Sequence, residues 1–193
     1  MANIFIFHGV NGYPDENWFP WLKRKLELLN HKIIIPQFPT PENQTLENWF
    51  KVFSLFEKYL LPGSILIGHS LGGTFLLRVL EKYKVKIARA FIVAAPIGIL
   101  PIDDWENEMS FYGSRFEWDT IINNCKSFYI FHSNNDHYVS VQNSKTLAGN
   151  LNGKLLIVPY AGHFNNASGF DKFDLLYNIM ISKYFVYEKA RSK

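Results

Sequence analysis

The pentapeptide Gly68-His69-Ser70-Leu71-Gly72 has the residue types and spacing to do chemistry. It is a G-x-S-x-G segment between the β-rich run Ser64-Ile65-Leu66-Ile67 and a stretch of helical period. In that setting it predicts a tight strand-to-helix turn with a nucleophilic serine at its apex. Side chains at 68 and 72 would collide with the flanking strand or helix. The turn also aims the first amides of the helix at the serine, so the Leu71 N–H can stabilise an oxyanion. Phosphate binding is excluded on detail: no Lys-Ser or Lys-Thr follows Gly72-Gly73, and no G-x-G-x-x-G occurs.

A serine hydroxyl needs a base, and the base needs an orienting acid. With a G-x-S-x-G turn the chain order is serine, acid, histidine. His163, in Pro159-Tyr160-Ala161-Gly162-His163-Phe164, is the one histidine beyond the last expected strand, and Gly162 lets its loop bend toward Ser70. Asp136, in Ser133-Asn134-Asn135-Asp136-His137, follows a strand and is the preferred acid. Asp103, Asp104 and Asp119 stay open if the segment that carries them folds over the site, while Asp171 comes after the base in the chain. A second oxyanion donor is expected from His8-Gly9-Val10-Asn11-Gly12, with the Val10 N–H as the choice. In that loop His8 is expected to fix backbone geometry, and His69 to point away from the serine's line of approach. His132, Asp136 and His137 lack the spacing of zinc motifs, so no metal is expected. Trp18, Phe111, Trp118 and Phe164 are candidates for an apolar pocket wall.

These residues need a frame, and the pattern supplies one. Strands are expected at 3–7, 32–35, 64–68, 88–94, 127–132 and 154–158. Helical stripes fill the gaps, the first opening near Pro14, Asp15 and Asn17, with others around 46–60, 71–83, 139–151 and 171–187. Alternation of this kind predicts an α/β fold, a parallel sheet of about six strands with helices on both faces. Residues 96–126 break the rhythm, an irregular aromatic-rich insertion that reads equally as a lid, a binding wall or packed helices.

Composition narrows the field. The 193 residues suit one domain, 1–193, and 48% apolar content with 17 Phe, 10 Tyr and 5 Trp excludes a disordered or coiled-coil chain. A net charge of +3 without a basic run gives no nucleic-acid footprint. A single cysteine, Cys125, excludes an internal disulfide. The apolar run Ile4-Phe5-Ile6-Phe7 is too short for a signal peptide, and no stretch is long enough to span a bilayer. The expectation is a cytoplasmic protein with no membrane partner.

The order Ser70, Asp136, His163 on a small alternating chain resembles the α/β-hydrolase fold. More narrowly, it resembles the family of retinoblastoma-binding protein 9 and the bacterial YdeN-type hydrolases. The resemblance is carried by Trp18-Phe19-Pro20-Trp21-Leu22, the Ser70 pentapeptide, Phe111-Tyr112-Gly113, 118–125, Asn135-Asp136 and Ala161-Gly162-His163-Phe164. It implies a compact hydrolase without the two antiparallel strands that begin larger relatives. It also implies Ser70 as nucleophile, Asp136 as orienting acid and His163 as base, in a serine esterase or peptidase of small substrates. The family's retinoblastoma association is tied to an L-x-C-x-E segment. Cys125 stands instead in Asn123-Asn124-Cys125-Lys126-Ser127, so that partner is not supported.

The expected activity is cleavage of a small ester or amide, a small-molecule acyl substrate, through an acyl-enzyme on Ser70. No cofactor is required. A binding or regulatory protein with little turnover on the same fold is the alternative, and lyase or acyl-transfer chemistry on the same residues is a third possibility.

Overall fold

The structure, a computed structural model, describes residues 1–98 and 108–191, those after 182 by backbone alone. The candidate acids Asp103 and Asp104, and Trp105 of the aromatic-rich insertion, lie outside the described residues. Among the described residues, six strands form one sheet: β1 (Asn3–Phe7), β2 (Lys32–Ile34), β3 (Ile65–His69), β4 (Arg89–Val93), β5 (Phe128–Ser133) and β6 (Lys154–Val158). Their order across the sheet is β2-β1-β3-β4-β5-β6, and every neighbouring pair is parallel.

Alternation along the strands divides the core in two. Ile4 and Ile6, Ile65 and Ile67, and Phe91 and Val93 face one side, where they meet α1 (Phe19–Glu27) and α7 (Asp174–Arg191). Phe5 and Phe7, Leu66, and Ala90 and Ile92 face the other. There they meet α2 (Leu46–Ser54), α3 (Leu71–Lys82), α5 (Trp118–Asn123) and α6 (Val141–Leu151). From β1 the chain winds outward to β2, then jumps back across β1 to β3 and continues the other way. With right-handed crossovers, that reversal places helices on both faces. It also parts the loops that leave the ends of β1 and β3, opening a crevice where doubly wound sheets bind ligands.

One expectation is corrected. The first helix starts at Phe19 and not near Pro14, because Asn17 takes a left-handed φ of 51° that no helix admits. Residues 9–17 are left as a wall beside the crevice. Within 96–126, of the readings left open, the described part forms packed helices, α4 (Met109–Tyr112) and α5. Arg78 on α3 organises it, donating through Nε to the Phe111 carbonyl (3.0 Å) and through Nη2 to the Ser114 carbonyl (2.6 Å). Its guanidinium lies 4.0 Å from the Phe116 ring centroid.

The junction of β3 and α3 is the tightest point of the fold. Ser70 holds φ 54° and ψ −129°, and its N–H donates to the Val93 carbonyl at 2.9 Å. Strain of this type costs on the order of 1–3 kcal/mol. Gly72 is pressed on the end of β1, where a Cβ would run into the carbonyls of Phe7 and His8. Those are backbone atoms of a central strand and cannot yield. Replacing Gly72 by Ala is therefore expected to destabilise the protein by about 3 kcal/mol or more in chemical denaturation. Ser70→Gly relieves the strained dihedral and should raise stability by about 1 kcal/mol in the same measurement.

Candidate active site

Three loops that are distant in sequence converge at the carboxyl ends of the strands. They follow β1, β5 and β6, and they meet the turn that carries Ser70. A cavity of about 310 Å³ opens there, lined by Ser70 and His163 together with Val10, Glu16, Asn17 and Asn165 among others. Ser70 is half-buried at its floor. The β1 loop lies hard against it, since a Cβ on Gly9 would stand 2.8 Å from the Ser70 Cβ and 3.3 Å from its Oγ. Val10, next in that loop, is half-buried and lines the cavity. Leu71 is the first residue of α3, so its amide is among the helix donors without an intrahelical acceptor.

His163 and Asp136 are brought together directly. The His163 Nδ1–H donates to Asp136 Oδ2 at 2.8 Å, with the two side chains 10% and 1% exposed. With Nδ1 committed, Nε2 is the nitrogen through which the ring can exchange a proton with a group in the cavity. Burial raises the Asp136 carboxyl. The His163 bond and charge, with the amides of Val139 and Tyr138, outweigh that and hold it below the usual aspartate range. Those amides donate to Oδ1 at 3.1 and 2.9 Å, so both carboxylate oxygens are occupied. The other candidate acid among the described residues, Asp119, is exposed in the first turn of α5, and Asp171 is exposed ahead of α7.

The remaining histidines act as braces. His69 is buried, and its Nε2–H donates to the His163 carbonyl at 2.7 Å. Burial, with the nearby His163, drives its pKa down to about 3 and keeps it neutral. Its ring packs edge-on against Trp18 and Phe19, with centroids 6.2 Å away in each case. His8 fixes its loop: Nδ1–H donates to the Gly9 carbonyl (2.8 Å) and Nε2 accepts from the Phe38 amide (2.9 Å). Burial lowers its pKa to about 4. His132 commits both nitrogens, one to the Val139 carbonyl (2.9 Å) and one to the Ser144 hydroxyl (2.8 Å), which ties down the loop that holds Asp136. Among the described residues no cluster of His, Cys, Asp or Glu has the makings of a metal site.

A set of polar contacts locks the loops together, and the sequence reading missed it. Asn134 Oδ1, Ser133 Oγ and Asn135 Oδ1 accept from the successive amides of Tyr160, Ala161 and Gly162, at 2.8, 2.9 and 2.9 Å. Asn17 Oδ1 accepts from the Asn166 amide at 2.8 Å, joining the loop after β6 to the one after β1. The signal available in sequence was only the density of Asn and Ser in these loops, which ordinary turns share.

The aromatic pocket candidates are corrected. Trp18, Phe111 and Phe164 are fully buried, and none of the four lines this cavity. The Trp18 indole N–H donates to the Phe164 carbonyl at 3.0 Å, while Phe164 stacks on Phe173 with centroids 5.1 Å apart. Phe111 packs edge-on against Trp49 at 5.0 Å, and Trp118 lies half-buried over Phe116 at 5.0 Å. Rings of this size gain more by leaving water for the core than by lining an open crevice. The wall is polar instead, supplied by Asn11, Tyr13, Glu16, Asn17, Asn165 and Asn166.

No helix among the described residues is long and apolar enough to cross a membrane. The chain is 30% identical over 181 residues to the protein YdeN of Bacillus subtilis (strain 168), covering 93% of this chain and 94% of that one. It is 25% identical over 160 residues to serine hydrolase RBBP9 of Rattus norvegicus, covering 82% and 84% of the two. The crystal structure of the B. subtilis ydeN gene product superimposes with a TM-score of 0.89 at 28% identity, covering 95% of this chain and 99% of that one. Est1E from Butyrivibrio proteoclasticus, solved with ferulic acid bound, shares the fold at a TM-score of 0.71 and 15% identity, covering 98% and 90%. The profile of the family described as Serine hydrolase matches residues 4–182. With its parallel sheet, its serine turn and this match over nearly its whole length, the chain belongs to the serine hydrolase family on an α/β-hydrolase fold.

Proposed function

We propose that the protein cleaves small esters or amides through an acyl-enzyme on Ser70, with His163 as general base and Asp136 as its orienting acid. The observation that carries this reading is the 2.8 Å bond from His163 Nδ1–H to Asp136, on the wall of the cavity that Ser70 floors. Ser70 Oγ attacks the substrate carbonyl carbon while His163 Nε2 takes the hydroxyl proton. The carbonyl π electrons move onto oxygen, and the amides of Val10 and Leu71 stabilise the resulting oxyanion. As the intermediate collapses, the bond to the leaving group breaks, and the imidazolium returns its proton to the departing alcohol or amine. Water then repeats the sequence on the acyl-enzyme, releasing the acid and free Ser70. Throughout, Asp136 holds the tautomer with the proton on Nδ1 and stabilises the imidazolium without accepting a proton itself.

A fluorophosphonate probe tests the nucleophile. Wild type should be labelled stoichiometrically and Ser70→Ala not at all, with intact-mass spectrometry as the readout. Equal labelling of both would discard Ser70 as the nucleophile, whereas no labelling and no hydrolysis across a panel of p-nitrophenyl esters would favour a binding protein on the same fold. Asp136→Asn should lower kcat about 10³- to 10⁴-fold, because the preferred tautomer changes while the geometry persists. The same variant has a stability signature. A carboxyl whose folded pKa lies below its unfolded value stabilises above the unfolded pKa, and that contribution disappears as pH falls through the folded value. Asp136→Asn should therefore be less stable than wild type at pH 7. The difference should close as the pH is taken below about 4.

A further inference from the structure

Glu16 shares the cavity wall with Ser70 and His163. Its carboxylate lies over the loop that follows β1: a Cβ on Gly12 would stand 2.6 Å from Glu16 Oε1 and 2.8 Å from His8 Nδ1. Burial pushes the carboxyl up to about 7, against the pull of a hydrogen bond from the Tyr13 backbone. A nearby cation would have reversed that direction. Among the described residues none is present: no Lys or Arg lines the cavity, and Glu16 forms no ion pair. The imidazoles do not substitute for one. Burial keeps His8 and His69 neutral, and His163 directs Nδ1 at Asp136. The other polar side chains of the wall come from Asn11, Tyr13, Asn17, Asn165 and Asn166. The cavity thus holds an acid, partly withdrawn from water, whose counter-ion none of the described residues supplies.

We infer that Glu16 determines specificity, selecting esters or amides whose arm in this cavity carries an ammonium group. The inference rests on Ser70 being the nucleophile of the same cavity. An ammonium ion donates to the carboxylate and restores its charged form. In a partly desolvated cleft such a pair is worth more than one on the open surface. A neutral apolar arm would leave the carboxylate without a partner and set hydrocarbon against the asparagine-rich wall.

The test is competition against hydrolysis of p-nitrophenyl acetate at pH 8, where the Glu16 carboxyl is charged, at constant ionic strength. The competitors are n-butylammonium chloride and n-butanol, close in shape and different in charge. The ammonium is expected to raise KM without lowering kcat, and to do so at about one tenth of the alcohol concentration. Glu16→Gln should weaken ammonium inhibition about tenfold, and Glu16→Ala should do the same. Equal inhibition of the wild type by the two compounds overturns the inference whether or not the variants fold. Unchanged ammonium inhibition in the variants overturns it as well. Absence of p-nitrophenyl acetate hydrolysis by wild type, with no labelling of Ser70, is the separate signature that the nucleophile assignment itself fails.

Discussion

Ser70 sits in a backbone conformation that an L-residue resists, and the packing around it leaves no alternative. Its N–H is bound to β4, its carbonyl accepts from Gly73, and the following turn of α3 is pressed on the carbonyls of β1. Stabilisation spread over the whole central sheet thus offsets strain on the order of 1–3 kcal/mol at one residue. The consequence is a hydroxyl presented above the sheet and a helix N-terminus beginning at the next residue. The reversal of strand order beside β1 opens the crevice into which both point.

Around this fixed serine, the rest of the site is held by side chains that bind backbone. Asn134, Ser133 and Asn135 grip three consecutive amides before His163, and His69 holds the His163 carbonyl. Trp18 and Asn17 carry the same loop across to the start of α1. His132 and Ser144 steady the loop of Asp136 from below. Each contact is modest alone, about 1 kcal/mol by the usual measure. Together they position an imidazole and a carboxylate that come from separate crossovers.

Much of this is legible in the sequence. The strand at 3–7 was legible because burial on both faces writes a continuous apolar run, the edge strand at 154–158 by its short run Leu-Leu-Ile-Val alone, and α3 by the helical spacing of its large apolar residues after the Ser70 turn. Gly68-His69-Ser70-Leu71-Gly72 was legible because steric demand at the turn dictates residue type. The pocket was not. Whether Trp18 and Phe164 line a cavity or fill the core depends on which loops meet in three dimensions, and their hydrophobicity is the same in either place. The start of α1 was misjudged for a related reason: Pro14 and Asp15 look like helix openers until Asn17 turns left-handed to reach Asn166. Glu16 had no signal at all in sequence, since a glutamate in a loop is ordinarily solvated.

In the proposed mechanism Ser70 forms the covalent intermediate, with its oxyanion held by the amides of Val10 and Leu71. A crystal structure of the protein after reaction with an alkyl fluorophosphonate tests it most directly. Phosphorus is expected on Ser70 Oγ, with the phosphoryl oxygen within hydrogen-bonding distance of both amides and His163 Nε2 facing the adduct. Phosphorus on another residue, or a phosphoryl oxygen turned away from both amides, would contradict it.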